Sequence, residues 1–417
     1  MKKTLNDWLF YLENRHTQEI QLGLARIKQV ADSLDLLRPS AKVISVAGTN
    51  GKGSTVACLE SIYLASGYQV GSYTSPHLLY FNERIKINQK PIHDEELISI
   101  FEFIDKSRGD IPITYFEMAT LAALLHFKRH QLDLIILEIG LGGRLDATNI
   151  IDNDLAIITT IDFDHQQQLG NTLEAIGFEK AGILRAKRPF IYADESPPCS
   201  ILNQAKLQHS LLFRKGEEYQ YELSDNDINF QYQNQKHVLK QSHMHPNSMA
   251  AAFMATFCLQ KELPVNACSS IKAINNTRIS GRLQVFTSDE ITTIVDVSHN
   301  PQSIAYLIAY IKKQKYQSLH LVFAALKDKD VALMCSLIKP FVDYWYPAQL
   351  TGKRALTAQE LLEIVNMDEI RTNTCHNDPA QAYQSAKNQA KAGDLIVVCG
   401  SFITVAAVLF GNLVGKV

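Results

Sequence analysis

Apolar positions along the chain fall into short blocks separated by polar turns. Asp7 to Asn14 and Ile20 to Leu37 have the spacing of amphipathic helices. The second carries Leu22, Ile27, Val30, Leu34 and Leu37 on one stripe before Arg38-Pro39 ends it. Val43 to Ala47 read as a buried strand, apolar except for Ser45, and Ser54 to Tyr63 as a helix. A strand over Gln69 to Thr74 follows. Phe81 to Ile87 mixes charge with aromatic and aliphatic residues, the pattern of an exposed strand or a binding loop. Asp94 to Lys106 and Glu117 to Arg129 are expected helices, with loop and a short strand over Gly109 to Tyr115 between them. Leu132 to Glu138 and Leu155 to Thr160 are almost wholly apolar strands. Strands of this kind, set between helices, belong to a parallel sheet covered on both faces.

Asn171-Thr-Leu-Glu174 opens a further helix with the spacing of a capping box. Residues 213 to 238 alternate irregularly and suggest hairpins, while Pro246 onward and Ser269 to Asn275 are helical. Arg278 to Leu283 breaks the pattern. From Ile291 the chain alternates regularly. Strands are expected at 291–297, 319–325, 343–346, 370–374 and 395–399, with helices between and after them. The expected fold is therefore α/β: a phosphate-loop-type parallel-sheet domain over residues 1–284 and a smaller Rossmann-like domain over 285–417. The second domain has no dinucleotide glycine fingerprint.

Between the first strand and its helix lies Gly48-Thr49-Asn50-Gly51-Lys52-Gly53-Ser54. Strand, glycine loop and helix form the context of a phosphate loop. Glycines permit a tight turn with N–H groups facing inward, and the helix N-terminus adds its positive dipole end. Lys52 would reach the β- and γ-phosphates, and the Ser54 or Thr55 hydroxyl would face Mg²⁺. Gly53, between Lys52 and Ser54, departs from the usual Gly-Lys-Ser/Thr ending. An ordinary glycine-rich turn is the plainer alternative, but lysine and hydroxyl fall where phosphate needs them.

Polar residues gather at the other strand ends, where open α/β sheets bind ligands. Ser75 and His77 follow one strand and Glu138 ends another, placed to hold Mg²⁺, to orient water, or simply to form a salt bridge. His165 could ligate a metal or cap its strand. Lys180 is a cation suited to phosphate or a salt bridge; only as a carbamate would it bind Mg²⁺, and nothing in the sequence physics demands that modification. Gly140 to Asn149 reads as a flexible polar loop rich in ligand groups. Asn247 could be a simple helix cap, and His16 a surface residue. Asp296, His299, Asp328 and Asp330 occupy strand ends of the second domain.

Composition narrows the field. The chain has 417 residues, 46% of them apolar, so two or three domains with real cores are possible. Forty-one basic against 43 acidic residues give a net charge of -2, which argues against nucleic acid as a partner. No signal peptide and no membrane-length apolar run are evident. Seven scattered cysteines without a Cys-x-x-Cys pair suggest free thiols in a reducing cytoplasm, with no zinc or iron–sulfur site.

Taken together, Ala47-Gly-Thr-Asn-Gly-Lys-Gly-Ser-Thr55, Ser75-Pro-His-Leu78, Phe81-Asn-Glu-Arg-Ile85, Glu138 to Asn149 and Glu179-Lys-Ala-Gly-Ile183 resemble the bacterial dihydrofolate synthase/folylpolyglutamate synthases of the Mur-ligase-like superfamily. The resemblance covers nearly all the chain. It implies an ATP-dependent ligase that joins L-glutamate to dihydropteroate, and to reduced folates and their polyglutamates, through an acyl phosphate. It further implies Mg²⁺ (two ions), and a monovalent cation such as K⁺, in a monomeric enzyme. Ser75, Glu138 and His165 match metal ligands, and Lys180 matches a carbamylated lysine. Lys52, Glu138, His165 and Lys180 would carry the catalysis. Asn247, Arg282, Asp296 and His299 match nucleotide contacts, the last two brought in by closure of the C-terminal domain. Gln21-Leu22-Gly23-Leu24, Thr114-Tyr115-Phe116 and Leu145-Asp146-Ala147 resemble pteroate-binding segments. Two departures, Ser280-Gly281 for Pro-Gly and Val297-Ser298 for a smaller pair, keep the Arg, Asp and His. His77 and His299 are the candidates for a general base. A cell-wall Mur ligase would want a UDP-binding N-terminal domain, and only about 40 residues precede the loop. A nucleotide-gated binding protein would leave the strand-end ligands without a role.

Overall fold

A computed structural model describes residues 3–15, 22–352, 354–365, 371–372 and 375–413. His16, Gln21 and part of the expected 370–374 strand therefore lie outside the described residues. The chain divides into two compact units, residues 1–278 and 279–417.

In the first unit the strands are β1 (Lys42–Ala47), β2 (Val70–Tyr73), β3 (Ile85–Ile87), β4 (Lys90–Pro91), β5 (Leu134–Glu138), β6 (Leu155–Ile158), β7 (Pro189–Tyr192) and β8 (Leu211–Arg214), followed by β9 (Tyr219–Leu223), β10 (Asp227–Tyr232) and β11 (Gln235–Lys240). Its helices are α1 (Leu5–Asn14), α2 (Ala25–Ser33), α3 (Lys52–Ala65), α4 (Asp94–Ser107), α5 (Tyr115–Lys128), α6 (Gln166–Leu169), α7 (Leu173–Ala181), α8 (Cys199–Leu207), α9 (Pro246–Cys258) and α10 (Ala267–Asn276). The main sheet runs β4-β3-β2-β5-β1-β6-β7-β8, parallel from β2 to β8 with an antiparallel β3–β4 edge. Central strands are buried throughout, as their unbroken apolar runs require. β1 lies between β5 and β6, with Val46 beside Glu138 and Ala47 beside Ile158. That register brings the glycine loop, Glu138 and Thr159 to one edge of the sheet. Strands β9 to β11 form a separate antiparallel sheet, joined to α9 through Phe230 and Phe253 (ring centroids 5.0 Å apart).

Several local expectations need correction. Helix α2 is shorter than its apolar stripe, because Leu24 is its N-cap, Leu34 its C-cap, and Asp35 takes a left-handed φ of 51°. No strand forms at 109–114; that segment runs as loop into α5, whose N-terminus is closed by the reciprocal Thr114–Glu117 capping box. Helix α7 is capped by Thr172, not Asn171. Glu174 instead accepts N–H bonds from Cys199 and Ser200 (2.9 and 2.7 Å) at the start of α8. The 140–149 segment is no flexible polar loop: Gly142, Gly143 and residues 146–149 are buried, and Ala147–Ile150 form a 3-10 turn. A Cβ on Gly143 would come 2.8 Å from the Glu179 carbonyl, so this segment packs directly on α7.

The second unit holds β12 (Gln284–Ser288), β13 (Ile291–Val295), β14 (Leu319–Phe323), β15 (Tyr344–Pro347), β16 (Arg371–Thr372) and β17 (Leu395–Cys399), in the order β12-β13-β17-β14-β15-β16. All pairs are parallel except that of β12, an antiparallel edge strand missed by the sequence reading. Helices α11 (Pro301–Ile311), α12 (Val331–Ile338), α13 (Ala358–Val365), α14 (Pro379–Gln389) and α15 (Phe402–Val408) complete it. Ile294, Leu307, Leu321, Phe323, Trp345 and Val397 lie in its core. Among the described residues, no helix is long and apolar enough to cross a membrane.

Candidate functional site

The loop after β1 is shaped by Thr159 and Thr160, which directly follow β6. Gly48 has φ +145°, and a Cβ there would fall 1.8 Å from Thr159 Oγ1, so no larger residue fits. The N–H groups of Thr49 and Asn50 donate to Thr160, at 2.8 Å to its carbonyl and 3.2 Å to its hydroxyl. Thr159 Oγ1 donates to the Asn50 carbonyl at 2.6 Å. Gly51, left-handed at φ +87°, opens α3, and its carbonyl accepts from Ser248 Oγ (3.1 Å) and Thr55 Oγ1 (3.0 Å). The inward-facing cradle is thus narrower than the glycine pattern suggests. Thr49 and Asn50 hold the loop to β6, and the first-turn N–H groups of α3, which have no intrahelical acceptor, remain for an anion. Because the Thr55 hydroxyl is engaged by Gly51, Ser54 is the hydroxyl left to serve a cation.

Two lysines converge on this loop. Lys52 Nζ donates to the carbonyls of Gly48 (3.0 Å) and Thr49 (3.1 Å), and Lys180 Nζ reaches the same Gly48 carbonyl at 2.9 Å. Lys180 is buried, and its amine donates to a backbone oxygen. Burial, reinforced by the nearby Lys52 charge, pushes its pKa down to about 7, while Asp164 and Asp146 act in the opposite direction.

Glu138 ends β5 with its side chain buried, and its Oε2 accepts the Ser75 N–H at 3.2 Å. A Cβ on Gly53 would come 3.7 Å from the same oxygen, so the extra glycine brings the start of α3 against this carboxylate. Ser75 and Pro76 are joined by a cis peptide. His165 sits just beyond β6 at φ 51° and caps α6; its side chain is about one-third exposed. Its N–H donates to Asp164 Oδ1 (2.8 Å), and its Nε2 lies 3.9 Å from Asp164 Oδ2. Ser54, Ser75 and Glu138 supply oxygen, the donor chemistry that a hard divalent cation takes. An ammonium at Lys180 does not.

An aromatic wall adjoins these strand ends. Arg84 is buried, with its guanidinium over the rings of Phe81 (5.4 Å) and Tyr115 (5.5 Å). Its Nε donates to His77 Nδ1 at 2.9 Å. That bond fixes the His77 proton on Nε2 and occupies its one lone-pair nitrogen; burial and the Arg84 charge push its pKa down to about 4. His77 is therefore unsuited to act as a general base, contrary to one of the two sequence candidates. Phe116 packs on Tyr73 (5.9 Å) and over Gly140, where a Cβ would come 2.5 Å from its ring. Thr114 is a buried cap. Leu22 is 38% exposed, Leu24 packs against the core, and Gly23 has open space around its Cα. Leu145 is partly buried. Asp146 and Ala147 are buried, and the Asp146 carboxylate accepts from Leu141 N (2.9 Å), Thr148 N (3.0 Å) and Thr148 Oγ1 (2.6 Å). Its burial raises its pKa. Asn247 is not the cap of α9; His245 is, through Nδ1, and Asn247 Oδ1 accepts from Tyr221 Oη at 2.5 Å.

Within the second unit, Asp296 is buried. Its carboxylate accepts from Leu283 N (2.8 Å), Ser298 N (2.9 Å) and the Ser298 hydroxyl. His299 Nδ1 donates to the Val297 carbonyl (2.8 Å). The Phe402 ring joins the cluster, with Arg282 over it at 5.2 Å and His299 at 5.8 Å. Asp328 and Asp330 are not ligand groups awaiting a partner: Asp328 pairs with Arg354 (2.6 Å) and Asp330 caps α12 through Leu333 N (3.1 Å).

Sequence reasoning missed Thr159, Thr160 and Ser248, which pin the loop, and Arg84, Asp164, Tyr221 and Phe402. Thr159 and Thr160 carried a usable signal, as hydroxyls ending an apolar strand beside the loop strand. Arg84 lies in the Phe81–Ile87 segment, which reads as a strand or binding loop, but is not singled out there. Tyr221 carried no signal, since its partner is fixed only by the fold.

Two family models match the chain: the Mur ligase middle domain over residues 46–259 and the Mur ligase glutamate ligase domain over 281–402. The chain is 41% identical to the dihydrofolate synthase/folylpolyglutamate synthase of Escherichia coli, over 97% of this chain and 94% of that protein. It is 39% identical to the protein so named from Haemophilus influenzae, over 96% of each. Among solved structures, Escherichia coli FolC in complex with DHPP and ADP superposes with a TM-score of 0.94 at 40% identity, covering 100% of this chain and 99% of that one. The bifunctional folylpolyglutamate synthase/dihydrofolate synthase of Yersinia pestis complexed with AMPPNP and Mn gives 0.90 at 39% identity, covering 98% of both.

Proposed function

Since the chain belongs to the dihydrofolate synthase/folylpolyglutamate synthase family of the Mur-ligase-like superfamily, we propose that it joins L-glutamate to dihydropteroate and to the γ-carboxylate of reduced folates. The chain is an ATP-dependent ligase, and its chemistry follows from the weakness of a carboxylate as an acyl donor. The γ-phosphoryl group of ATP passes to a carboxylate oxygen, and ADP leaves. The neutral amine of glutamate then attacks the acyl carbon, the C–O bond to phosphate breaks, and the amide remains. Glutamate's ammonium gives up one proton before attack and the new amide nitrogen a second as phosphate leaves; His299 and water are the candidate acceptors.

The observation that carries this reading is the convergence of Lys52 and Lys180 on the Gly48 carbonyl, one strand away from buried Glu138. Lys52 and the first-turn N–H groups of α3 bind the transferring phosphoryl group and stabilise its charge. Ser54, Ser75, Glu138 and His165 would hold Mg²⁺. Bound there, Mg²⁺ supplies charge neutralisation and polarisation of the γ-phosphoryl. Asn247, Arg282, Asp296 and His299 contact the nucleotide. Leu22, Gly23, Leu24, Thr114, Tyr115, Phe116, Leu145, Asp146 and Ala147 belong to the pteroate surface. Asp146 contributes by shaping the 141–148 turn, since its carboxylate is already engaged.

Lys180 becomes a metal ligand only by adding CO₂. Carbamate formation requires a neutral amine, and burial beside Lys52 favours that form. Native mass spectrometry with ¹³C-bicarbonate should show the label on Lys180; an unmodified amine in fully active, metal-loaded protein would count against it. The function itself is tested by incubation with dihydropteroate, ATP, Mg²⁺ and L-glutamate. ADP and dihydrofolate should form together. Absence of turnover with both dihydropteroate and a reduced folate overturns the reading.

A further inference from the structure

On the outer helices of the first unit, Glu96, His126 and His130 bring one carboxylate and two imidazoles together. Glu96 lies in the first turn of α4 and His126 in the last turn of α5. His130 follows the C-cap of α5, and the turn there brings its ring centroid within 4.6 Å of that of His126. Glu96 Oε1 lies 2.9 Å from His126 Nδ1. One donor atom from each of the three side chains lies within 4.8 Å of the other two. Among the described residues, this is the one group of three His, Cys, Asp or Glu side chains so arranged.

The hydrogen bonds hold the three side chains together, and a cation entering between His126 and Glu96 displaces the proton that His126 Nδ1 donates. His130 Nδ1 donates to the His126 carbonyl at 2.8 Å, which leaves its Nε2 as a lone-pair nitrogen on an exposed side chain. His126 is buried and its ring is held against the carboxylate, so little side-chain freedom remains to be lost. The C-terminal dipole end of α5 also favours positive charge here. Zn–N and Zn–O distances of about 2.0–2.2 Å place ligands of one ion no more than about 4.4 Å apart. In a tetrahedral site the ligand atoms stand about 3.3–3.6 Å apart, a separation that rotamer adjustment of the exposed His130 and half-buried Glu96 can reach.

We propose that Glu96, His126 and His130 form a site for a divalent transition ion of the zinc class, tying α4 to α5, with water in the remaining position. Imidazole selects Zn²⁺, Ni²⁺ or Cu²⁺ over Mg²⁺, so this site is chemically distinct from the oxygen-rich one around Glu138. It lies at the far end of α5 from Thr114 to Phe116 and takes no part in phosphoryl transfer. Its consequence is a ligand-dependent stabilisation of the α4–α5 pair.

The test uses untagged, chelator-treated full-length protein held in excess Mg²⁺. Zn²⁺ is titrated calorimetrically and Co²⁺ by visible absorption. One ion per chain should bind in the micromolar range or tighter, with the intense visible bands of four- or five-coordinate cobalt and a higher melting temperature. His130→Ala and Glu96→Gln, both outside the catalytic machinery, should weaken Zn²⁺ binding about tenfold or more while ligase turnover in Mg²⁺ is unchanged; His209→Ala should bind as wild type. Equal Zn²⁺ binding by wild type, His130→Ala and Glu96→Gln would overturn the site, as would a wild type that gives no cobalt bands.

Discussion

Beyond β14 in the second unit, the acidic side chains are answered locally. Asp328 faces Arg354 and Asp330 closes the first turn of α12. Beyond β5 and β6 in the first unit, buried charge is gathered at one place. Glu138 accepts a backbone N–H of the Ser75 turn, and Lys180 shares one carbonyl oxygen with Lys52. Two amines on one acceptor, one of them buried, is a poor arrangement for stability alone, because each cation raises the cost of the other. It suits a site whose ligand is a polyphosphate. Strand-end polarity therefore marks a ligand where several charged groups are drawn together around the glycine loop, and not where a lone acid meets an arginine or closes a helix. Asp296 stands between these cases: it sits beside Arg282, His299 and Phe402, yet its own carboxylate organises the turn at Ser298.

This contrast is broken most directly at Lys52. Lys52→Ala should lower ATP turnover by a factor of about 10²–10³ or more, with circular dichroism and melting temperature close to wild type. A near-normal kcat would contradict the phosphate role. Glu138→Gln keeps the side-chain volume but removes the charge; activity should fall at least about tenfold and recover in part at higher Mg²⁺, measured as ADP release. An activity insensitive to Mg²⁺ concentration in that variant would remove Glu138 from the metal site.

A stability effect of intermediate size comes from His245. Burial, with Lys215 nearby, pushes its pKa down to about 4, and its Nδ1 accepts the Asn247 N–H that starts α9. Below the ordinary imidazole value near 6.5 the unfolded chain binds the proton more readily than the folded one. The stabilisation is therefore complete above about pH 6.5 and is lost as pH falls toward 4, by roughly 1–3 kcal/mol. Chemical denaturation at pH 7 and pH 4.5 measures the loss, and His245→Asn, which retains a capping side chain, should flatten it. The smallest effect belongs to the second unit. Asp330→Ala should cost about 1 kcal/mol of unfolding free energy from the lost cap and leave kcat/KM unchanged. A large activity loss there would erase the distinction between the two sets of strand ends.

Much of this was legible in the chain itself. Unbroken apolar runs at β1, β5 and β6 declare a covered parallel sheet, and the glycines around Lys52 declare the loop that follows β1. The motif resemblance then carried the family. What stayed hidden was the partner of each polar side chain. Asp328 and Glu138 look alike as acids following apolar strands, and only the fold shows that one meets Arg354 and the other the Ser75 turn. Likewise Gly140 to Asn149 has the composition of a flexible loop, but close packing on α7 and the engaged Asp146 carboxylate bury much of it. His77 looked like a base until Arg84, seven residues on, was found on its lone pair. Helix α2 is shorter than its stripe because periodicity does not report where the chain turns.

The central claim is that the first unit activates the substrate carboxylate by directing the γ-phosphoryl group of ATP onto it at the Lys52 loop. Dihydropteroate labelled with ¹⁸O in its carboxylate, incubated with ATP, Mg²⁺ and L-glutamate, should give inorganic phosphate carrying one ¹⁸O for each dihydrofolate formed. Dihydrofolate formation with no label in the phosphate would contradict it.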